Sequence, residues 1–224
     1  MENQTKTEFR YGGILLSLGG LTTIICILLE VNAGWASLFT EIERTNYEAG
    51  TFLFENWSEM SMIWTWALLG NVFFTIAAML FMKNSVKIGW FPSSLLWAIF
   101  CLGSLLGVLS FGITLGSYND ALAVIDDHPY VFDSIRGIAL YFFFFGAFFQ
   151  LLVLAIYFYQ GFHSGGIVPR LSAIVMTLVL VGSFVLMIIG VLSFGVFAIS
   201  FFLVTVLLGI FYTRETFLPD LSEA

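Results

Sequence analysis

The long apolar stretches of this chain lack charged residues near their middles, and charged residues make up only 10% of the whole sequence. Soluble domains contain roughly a quarter charged residues. Proton and cation pumps usually need ionisable residues within their spans, and a covalent retinal link needs a lysine there, so both classes are disfavoured. A phosphate-binding loop is also missing from the sequence, which argues against an ATP-driven motor.

Cysteine and histidine are scarce, with two residues of each. Cys26 and Cys101 both lie within apolar stretches, where a free cysteine packs as a small apolar side chain. No Cys-x-x-Cys pair or Cys/His cluster is available to hold a metal. Paired aspartates or a Ser/His pair for intramembrane proteolysis are absent from the apolar stretches too. We therefore predict no catalytic residue and no cofactor.

Hydrophobic residues are abundant instead, at 59% of the sequence with 26 phenylalanines. A helix that spans a bilayer needs about 20 apolar residues. Six runs of suitable length occur, at about 11–31, 61–82, 92–116, 137–160, 171–191 and 195–213. They are continuous rather than alternating, which indicates helices and not barrel strands. The sequence predicts an all-α, polytopic membrane helix bundle, a single domain over 1–224 whose six transmembrane helices form three hairpins.

The basic residues predict the orientation. An even number of spans places both termini on one side of the membrane. Six of the eight Lys and Arg residues lie on that side, namely Lys6, Arg10, Lys83, Lys87, Arg170 and Arg214. Only Arg44 and Arg136 lie on the other. Since short cytoplasmic loops carry the excess of Lys and Arg, both termini are expected in the cytoplasm.

The longest connecting loop, 32–60, joins spans 1 and 2. It contains Leu38 and Phe39, and then Phe52, Leu53 and Phe54, among acidic residues. Large apolar side chains among acidic ones are typical of a helix that lies in the membrane interface. Part of this loop is therefore predicted to be a short, interfacial amphipathic helix.

Small residues mark the third span, which carries Gly103, Gly107, Gly112 and Gly116. Small-xxx-small spacing lets helix backbones approach closely. It indicates either a subunit interface or hinge, or close packing within one chain, with span 5 as the expected partner through Gly190 and Ser193. The segments 107–112 and 190–195 share the sequence Gly-Val-Leu-Ser-Phe-Gly, so a repeated hairpin unit is a hypothesis alongside coincidence.

Polar residues within the spans form a second candidate set. Asn71 and Gln150 lie near mid-membrane, and Thr22, Thr75 and Ser183 lie at comparable depth. Lipid offers these groups no hydrogen bonds. They predict either a small polar cavity for a neutral or zwitterionic solute, or interhelical hydrogen bonds worth roughly 0.5–2 kcal/mol each. The phenylalanines of 142–149 indicate lipid contact, or the wall of a cavity for a lipid, isoprenoid or pigment.

The acidic outer loops supply the remaining candidates. Asp126, Asp127 and His128 offer oxygen and imidazole ligands for a divalent cation, but their spacing matches no EF-hand or zinc pattern, and the segment equally fits a solvated turn. No metal site is predicted. Glu30, at the end of span 1, is expected to pair with Arg136 at the start of span 4.

Two short stretches resemble a known group of proteins. Phe9-Arg10-Tyr11-Gly12-Gly13 precedes the first apolar run, and Pro169-Arg170-Leu171 opens another. Both resemble uncharacterised bacterial integral membrane proteins of six to seven helices. The resemblance implies a multi-pass protein of the bacterial inner membrane, and it implies no activity and no site residues.

Three function classes remain. The first is a membrane-embedded binding or assembly subunit that packs through small-residue helix faces, as a homo-oligomer or with a membrane-protein partner. The second is a small channel or carrier for a neutral or lipid-like molecule, using the layer of Asn71 and Gln150. The third is an enzyme that modifies lipid headgroups at the outer face. The lipid bilayer is the expected environment, and nucleic acid is not an expected partner.

Overall fold

A computed structural model describes residues 2–37, 44–83, 87–88, 91–164 and 168–214. These ranges contain seven α-helices: α1 Glu2–Asn32, α2 Asn46–Glu55, α3 Trp57–Lys83, α4 Ser93–Ala123, α5 Pro129–Ser164, α6 Arg170–Ile188 and α7 Phe194–Thr213. All except α2 are long and apolar enough to cross a membrane. Before α4, the two-residue strands β1 (Lys87–Ile88) and β2 (Phe91–Pro92) pair antiparallel. The predicted all-α membrane bundle with six spans is confirmed.

The six long helices form a closed ring in the order α1, α3, α4, α5, α6 and α7, because each packs against the next and α7 packs against α1. The three predicted hairpins, α1/α3, α4/α5 and α6/α7, are all present. Phe9 near the start of α1 stacks on Tyr212 near the end of α7, with ring centroids 5.9 Å apart. The start of α1 and the end of α7 therefore lie at the same end of the bundle, which is called the termini end. The opposite end is called the α2 end.

Glycines allow the closest helix approaches in the ring. Three pairs cross face to face, namely Gly19 with Gly70 between α1 and α3, Gly13 with Gly209 between α1 and α7, and Gly103 with Gly146 between α4 and α5. A Cβ on the first glycine of each pair would lie 2.6–2.9 Å from the backbone oxygen of the second. Close backbone approach supplies the van der Waals packing that holds helices together in lipid.

Helix α6 is held differently. A Cβ added to Gly161 of α5 would meet Ala173 of α6 only at 3.7 Å, and one added to Gly182 of α6 would meet nothing within 4 Å. The described part of α6 thus has no glycine crossing at backbone distance. Since α6 packs mainly against α5 and α7, it is the most loosely held helix of the ring.

Buried side chains form two clusters. The cluster at the termini end draws on the six long helices and includes Trp97, Tyr157 and Tyr212, with the two tyrosine hydroxyls hydrogen-bonded at 2.7 Å. The cluster at the α2 end includes Trp64 and Tyr118. Its described members all come from the part of the chain that runs from α1 through α5, with both of these helices contributing. The α6/α7 hairpin therefore flanks the termini half of the bundle, while α4 and α5 continue beyond it.

The predicted short helix in loop 32–60 is present as α2. It begins with a capping box, in which Thr45 Oγ1 accepts a hydrogen bond from the Glu48 backbone and Glu48 accepts one from the Thr45 backbone. Leu53 is buried and Phe54 is exposed, as expected for an amphipathic helix. The other apolar pair, Leu38 and Phe39, lies outside the described residues.

Several predicted helix bounds need correction. Helix α1 starts at Glu2 rather than 11. Helix α4 runs to Ala123 rather than 116 and α5 starts at Pro129 rather than 137, because the polar helix ends pair through Tyr118 and Phe132, whose ring centroids are 5.2 Å apart. Hydrophobicity alone finds the lipid-crossing part of such helices and misses these extensions. Helix α6 ends at Ile188 rather than 191, because Gly190 adopts a φ of +75°, a conformation that commonly ends helices.

The repeated hexapeptide has two different structures. The copy at 107–112 lies inside α4, whereas the copy at 190–195 crosses the turn between α6 and α7. In that turn Ser193 caps α7, its Oγ accepting a hydrogen bond from the backbone of Val196 at 3.3 Å. The repeated-hairpin hypothesis is therefore wrong for this segment, and the shared letters do not encode a shared conformation.

Candidate functional site

A cavity of about 520 Å³ lies inside the helix ring, within the range of small-molecule sites. All six long helices contribute to its wall, which consists of Thr23, Asn71, Gly103, Gly107, Phe111, Phe143, Phe144, Phe145, Gly146, Ala147, Phe148, Gln150, Leu151, Phe184, Met187, Phe194, Phe197, Ala198, Phe201 and Phe202. None of these residues carries a charge, and half are phenylalanines. The wall thus suits an uncharged and mainly apolar guest.

The two carboxamides predicted to share a site, Asn71 and Gln150, both belong to this wall. They are only 8% and 4% exposed. Asn71 Nδ2 donates to the Ala67 backbone oxygen at 3.0 Å. Gln150 Nε2 donates to Ser104 Oγ at 2.9 Å, and that hydroxyl donates to the Phe100 backbone oxygen at 3.0 Å. Each amide therefore uses one of its two N–H groups in a hydrogen bond to the protein.

These bonds fix the orientation of both amides. A backbone carbonyl can only accept, so Ala67 requires the nitrogen of Asn71 on its side. The hydroxyl of Ser104 has given its single proton to Phe100, so it too must accept, and Gln150 presents its nitrogen there. Within the described residues, neither Asn71 Oδ1 nor Gln150 Oε1 receives a hydrogen bond. Both carbonyl oxygens remain available at the cavity.

The glycine stripe of α4 makes room for these amides. A Cβ on Gly107 would overlap the Asn71 carboxamide, and one on Gly103 would lie 3.0 Å from Gln150 Cγ and 2.7 Å from the Gly146 backbone oxygen. Gly103 and Gly107 are one helical turn apart, so they make room for the Gln150 side chain and the Asn71 carboxamide at successive levels of one helix face. The two separately predicted sets, the small residues and the polar pair, meet here.

The other members of the glycine set have other positions. Gly112 and Gly116 are exposed, and a Cβ on either would meet nothing within 4 Å. Gly190 and Ser193 form the α6/α7 turn rather than a packing face. The expected partnership of span 3 with span 5 is wrong, because α4 packs against α3 and α5 while α6 packs against α5 and α7.

The remaining polar candidates lie outside the wall. Thr75 donates to the Asn71 backbone oxygen at 2.9 Å and Ser183 donates to the Leu180 backbone oxygen at 3.1 Å, while Thr22 is half-buried near Gly70. Bonds within the same helix satisfy the first two hydroxyls, so they do not need a solute. The neighbouring Thr23 does contribute to the wall, although its hydroxyl also donates to its own helix at Gly19.

Phenylalanines form the lipid-facing side of the cavity. Phe144 and Phe148 line it and are also 53% and 54% exposed. Phe194, at the start of α7, lies against Phe143 and Phe144 of α5, with ring centroids 6.3 and 6.0 Å apart. Because these exposed rings are part of a membrane span, the cavity borders the bilayer beside the α6/α7 turn.

A hydrogen bond joins the acidic segment between α4 and α5 to α2. Asp126 Oδ1 accepts a hydrogen bond from the Tyr47 hydroxyl at 2.9 Å, and this bond to the carboxylate raises the pKa of Tyr47 above its usual value. In the part of the chain that the structure describes, His, Cys, Asp and Glu form no group of three or more that could hold a metal ion. Asp126, Asp127 and His128 thus have the geometry of a turn.

The predicted pairing of Glu30 with Arg136 is wrong. Glu30 Oε1 accepts a hydrogen bond from Trp64 Nε1 at 2.7 Å, and Arg136 Nη1 donates to Asn46 Oδ1 at 2.6 Å. Opposite charges alone do not bring two span ends together. The ring instead places α1 beside α3, so the nearest donor to Glu30 is the indole of Trp64.

Sequence reasoning missed Gly146 and Ala198, both of which shape the cavity. Gly146, followed by Ala147, is the only glycine in the phenylalanine-rich stretch 142–149, and a pair of small residues among bulky ones signals a close crossing. Ala198 lies between Phe197 and Phe201 in a similar context. The signal was local size contrast on one helix face, rather than small-xxx-small spacing.

Comparison with protein-family models, curated proteins and solved structures finds no match for this chain.

Proposed function

We propose that this membrane protein binds a neutral, largely apolar molecule from the lipid phase in its central cavity. The observation that supports the proposal is the composition of the wall, in which phenylalanines surround two buried carboxamides with free carbonyl oxygens. Ligand sites are commonly apolar concavities with a few polar groups that orient the guest. A wall without charge gives an ion no compensation for the loss of its hydration.

Binding to the protein in lipid nanodiscs tests the proposal. Radiolabelled dodecane and dodecan-1-ol are titrated separately, against empty discs to correct for partition into the bilayer. We expect saturable binding of at least one probe at one molecule per chain. If neither probe binds saturably, the cavity is only a packing defect and the proposal is wrong.

A cavity-filling variant provides the site assignment. Ala198 is buried in the wall, so Ala198→Phe should reduce saturable binding by roughly tenfold, because the added ring occupies the space of the guest. Leu203→Phe is the matched control, since Leu203 lies on the same helix and is 47% exposed. Equal binding by the two variants would place the probes elsewhere.

A second candidate function is assembly with another membrane protein or a second copy of the chain. It is favoured by Gly112 and Gly116, which are exposed on α4 with nothing above them and have the small-xxx-small spacing of close helix pairs. Gly112→Leu and Gly116→Leu would then shift the purified protein to a smaller mass in light scattering. An unchanged mass would count against assembly through this face.

The orientation and location belong to the same proposal. Arg170, Lys83 and Arg10 lie at the termini end of the bundle, which agrees with a cytoplasmic position for both termini by the positive-inside bias, and the bacterial inner membrane is the proposed location. Reporter fusions to the C-terminus and to the 124–128 turn distinguish the two orientations. Cytoplasmic activity of the fusion at 124–128 would reverse the proposal.

A further inference from the structure

We infer that the guest is a neutral lipid alcohol, whose single hydroxyl sits between the carboxamides of Asn71 and Gln150 and whose apolar chain lies against the phenylalanines of the cavity. The inference rests on the proposed binding function and specifies the chemical class of the guest. It follows from the hydrogen-bonding groups that the two amides leave open, from their spacing, and from the side on which the cavity meets lipid.

The open groups are of two kinds. Each carboxamide has two N–H donors and one carbonyl acceptor. Asn71 uses one N–H on Ala67, and Gln150 uses one on Ser104. Each amide thus retains a carbonyl oxygen and a second N–H for the cavity. One hydroxyl can donate its proton to one of the two carbonyl oxygens and accept an N–H from the other amide, and it is the smallest neutral group that does both.

Other guests fit these groups less well. A hydrocarbon would give neither carbonyl oxygen a donor and neither N–H an acceptor, which is unfavourable for buried polar groups. An ether could accept from an N–H but could not donate to the carbonyl oxygens. A carboxylate or an ammonium would find no opposite charge among the wall residues, and an unpaired buried charge is strongly disfavoured.

The two amides reach the cavity from the two helices that flank α4. Asn71 of α3 packs its carboxamide against Gly107. Gln150 of α5 packs its Cγ against Gly103 and donates its Nε2 to Ser104. Gly103 and Gly107 are four residues apart on α4, which corresponds to a rise of about 6 Å. The inferred position of the hydroxyl is between these two levels, where it would hydrogen-bond both amides.

The apolar chain has a route from the bilayer. Phe144 and Phe148 belong to the cavity wall and are also exposed on the membrane side of α5. Phe184 of α6 contributes to the same wall, and α6 is the helix without a close glycine crossing. Small displacement of α6 would widen the gap beside α5, so an alcohol can enter from the lipid without passing through water.

A series of probes with one chain length tests the inference in nanodiscs. Dodecan-1-ol, dodecyl methyl ether, dodecane and laurate differ only in the end group. We expect the alcohol to bind roughly tenfold more tightly than the ether or the alkane, as one satisfied buried hydrogen-bonding pair would give, and laurate to bind least at neutral pH. Equal affinities of the alcohol, ether and alkane would overturn the inference.

Variants then connect the preference with the amides. In Asn71→Leu/Gln150→Leu the alcohol should lose its advantage over dodecane, while dodecane still binds. Thr205→Val, which removes a buried hydroxyl bonded within α7, should leave the advantage unchanged. An advantage retained in the double variant would exclude the amides as the hydroxyl site. Because the wild-type series alone decides the guest class, misfolding of the double variant does not prevent the test.

The two levels of the proposal fail differently. If dodecane and the ether bind the wild-type cavity as well as the alcohol does, the binding function stands and the alcohol specificity is wrong. If none of the probes binds saturably, the binding function itself is wrong.

Discussion

The carboxamide of Asn71 lies directly against Gly107 on the neighbouring helix, and a Cβ at position 107 would overlap its oxygen. This contact joins α3 to α4 at the level of the cavity. Asn71 is fixed from the other side by its bond to the Ala67 backbone oxygen, 3.0 Å long. The amide is therefore held between its own helix and a glycine, and it has little freedom to retreat.

Gly107→Ala should displace that amide. The added methyl group meets a polar group that is bonded to its own helix, so we expect a loss of about 1–3 kcal/mol of stability, as for overpacked cores, together with weaker probe binding. Thermal unfolding in detergent measures the first effect and nanodisc titration the second. Gly112→Ala is the matched control on α4, where a Cβ meets open space. Equal unfolding temperatures for the two variants would contradict the tight contact.

Gly146→Ala should separate α4 from α5. Here the obstacle is backbone, because the new Cβ would lie 2.6 Å from the Gly103 oxygen, and backbone cannot move without the helix. We expect a loss of stability at the upper end of the 1–3 kcal/mol range. Gly137→Ala serves as the control on the same helix, since nothing lies within 4 Å of its Cβ position. Thermal unfolding of both variants gives the comparison, and similar curves would refute the crossing.

Trp64→Phe should leave the Glu30 side chain without its indole donor. The bond between Trp64 Nε1 and Glu30 Oε1 is 2.7 Å long, and an unsatisfied partly buried acceptor costs about 1–3 kcal/mol. Trp66→Phe is the control, because Trp66 is 53% exposed on the same helix. Adding Glu30→Leu to Trp64→Phe should recover part of the lost stability. A double variant less stable than Trp64→Phe alone would show that Glu30 has another role.

Acid should weaken the start of α2. The backbone and the hydroxyl of Thr45 hydrogen-bond the Glu48 carboxylate, and this lowers its pKa below the ordinary value of 4.5. Because the pKa of Glu48 is lower in the folded helix than in the unfolded chain, its ionised carboxylate stabilises the helix above pH 4.5. This stabilisation is lost as the pH falls through the pKa of the folded state. Hydrogen exchange of the amides of residues 46–55 should therefore report less protection at pH 3 than at pH 6, after correction for intrinsic rates.

Thr45→Ala tests the same capping box without a change of pH. It removes the side-chain acceptor of the helix start and the hydroxyl donor to Glu48, so α2 should lose about 1 kcal/mol and part of its acid sensitivity, while the backbone bond of residue 45 to Glu48 remains. Thr51→Ala is the control, because the Thr51 hydroxyl bonds within the helix to Tyr47. If acid weakens α2 equally in the wild type and in Thr45→Ala, the Thr45 hydroxyl does not contribute to the lowered pKa of Glu48.

The sequence by itself determined the helices and their environment. Runs of about 20 apolar residues are unfavourable in water and long enough to span a bilayer. Because lipid offers no hydrogen-bond partners, the backbone N–H and C=O groups of each run must bond to one another within a helix. The same logic showed that Asn71 and Gln150 need protein partners. The sequence also predicts the short helix in loop 32–60, but it predicts helix as far as 191, where Gly190 ends α6.

The tertiary structure alone decided which helices are neighbours. Lipid is as apolar as the helix surfaces, so hydrophobicity does not select partners in a membrane, and contacts depend on the fit of small residues such as Gly103 against Gly146. The same fit placed Glu30 beside Trp64 instead of Arg136, and left Gly112 and Gly116 outside. It also brought Asn71 and Gln150, which are far apart in sequence, to one cavity, because side chains from six helices enclose a space that no single segment encodes.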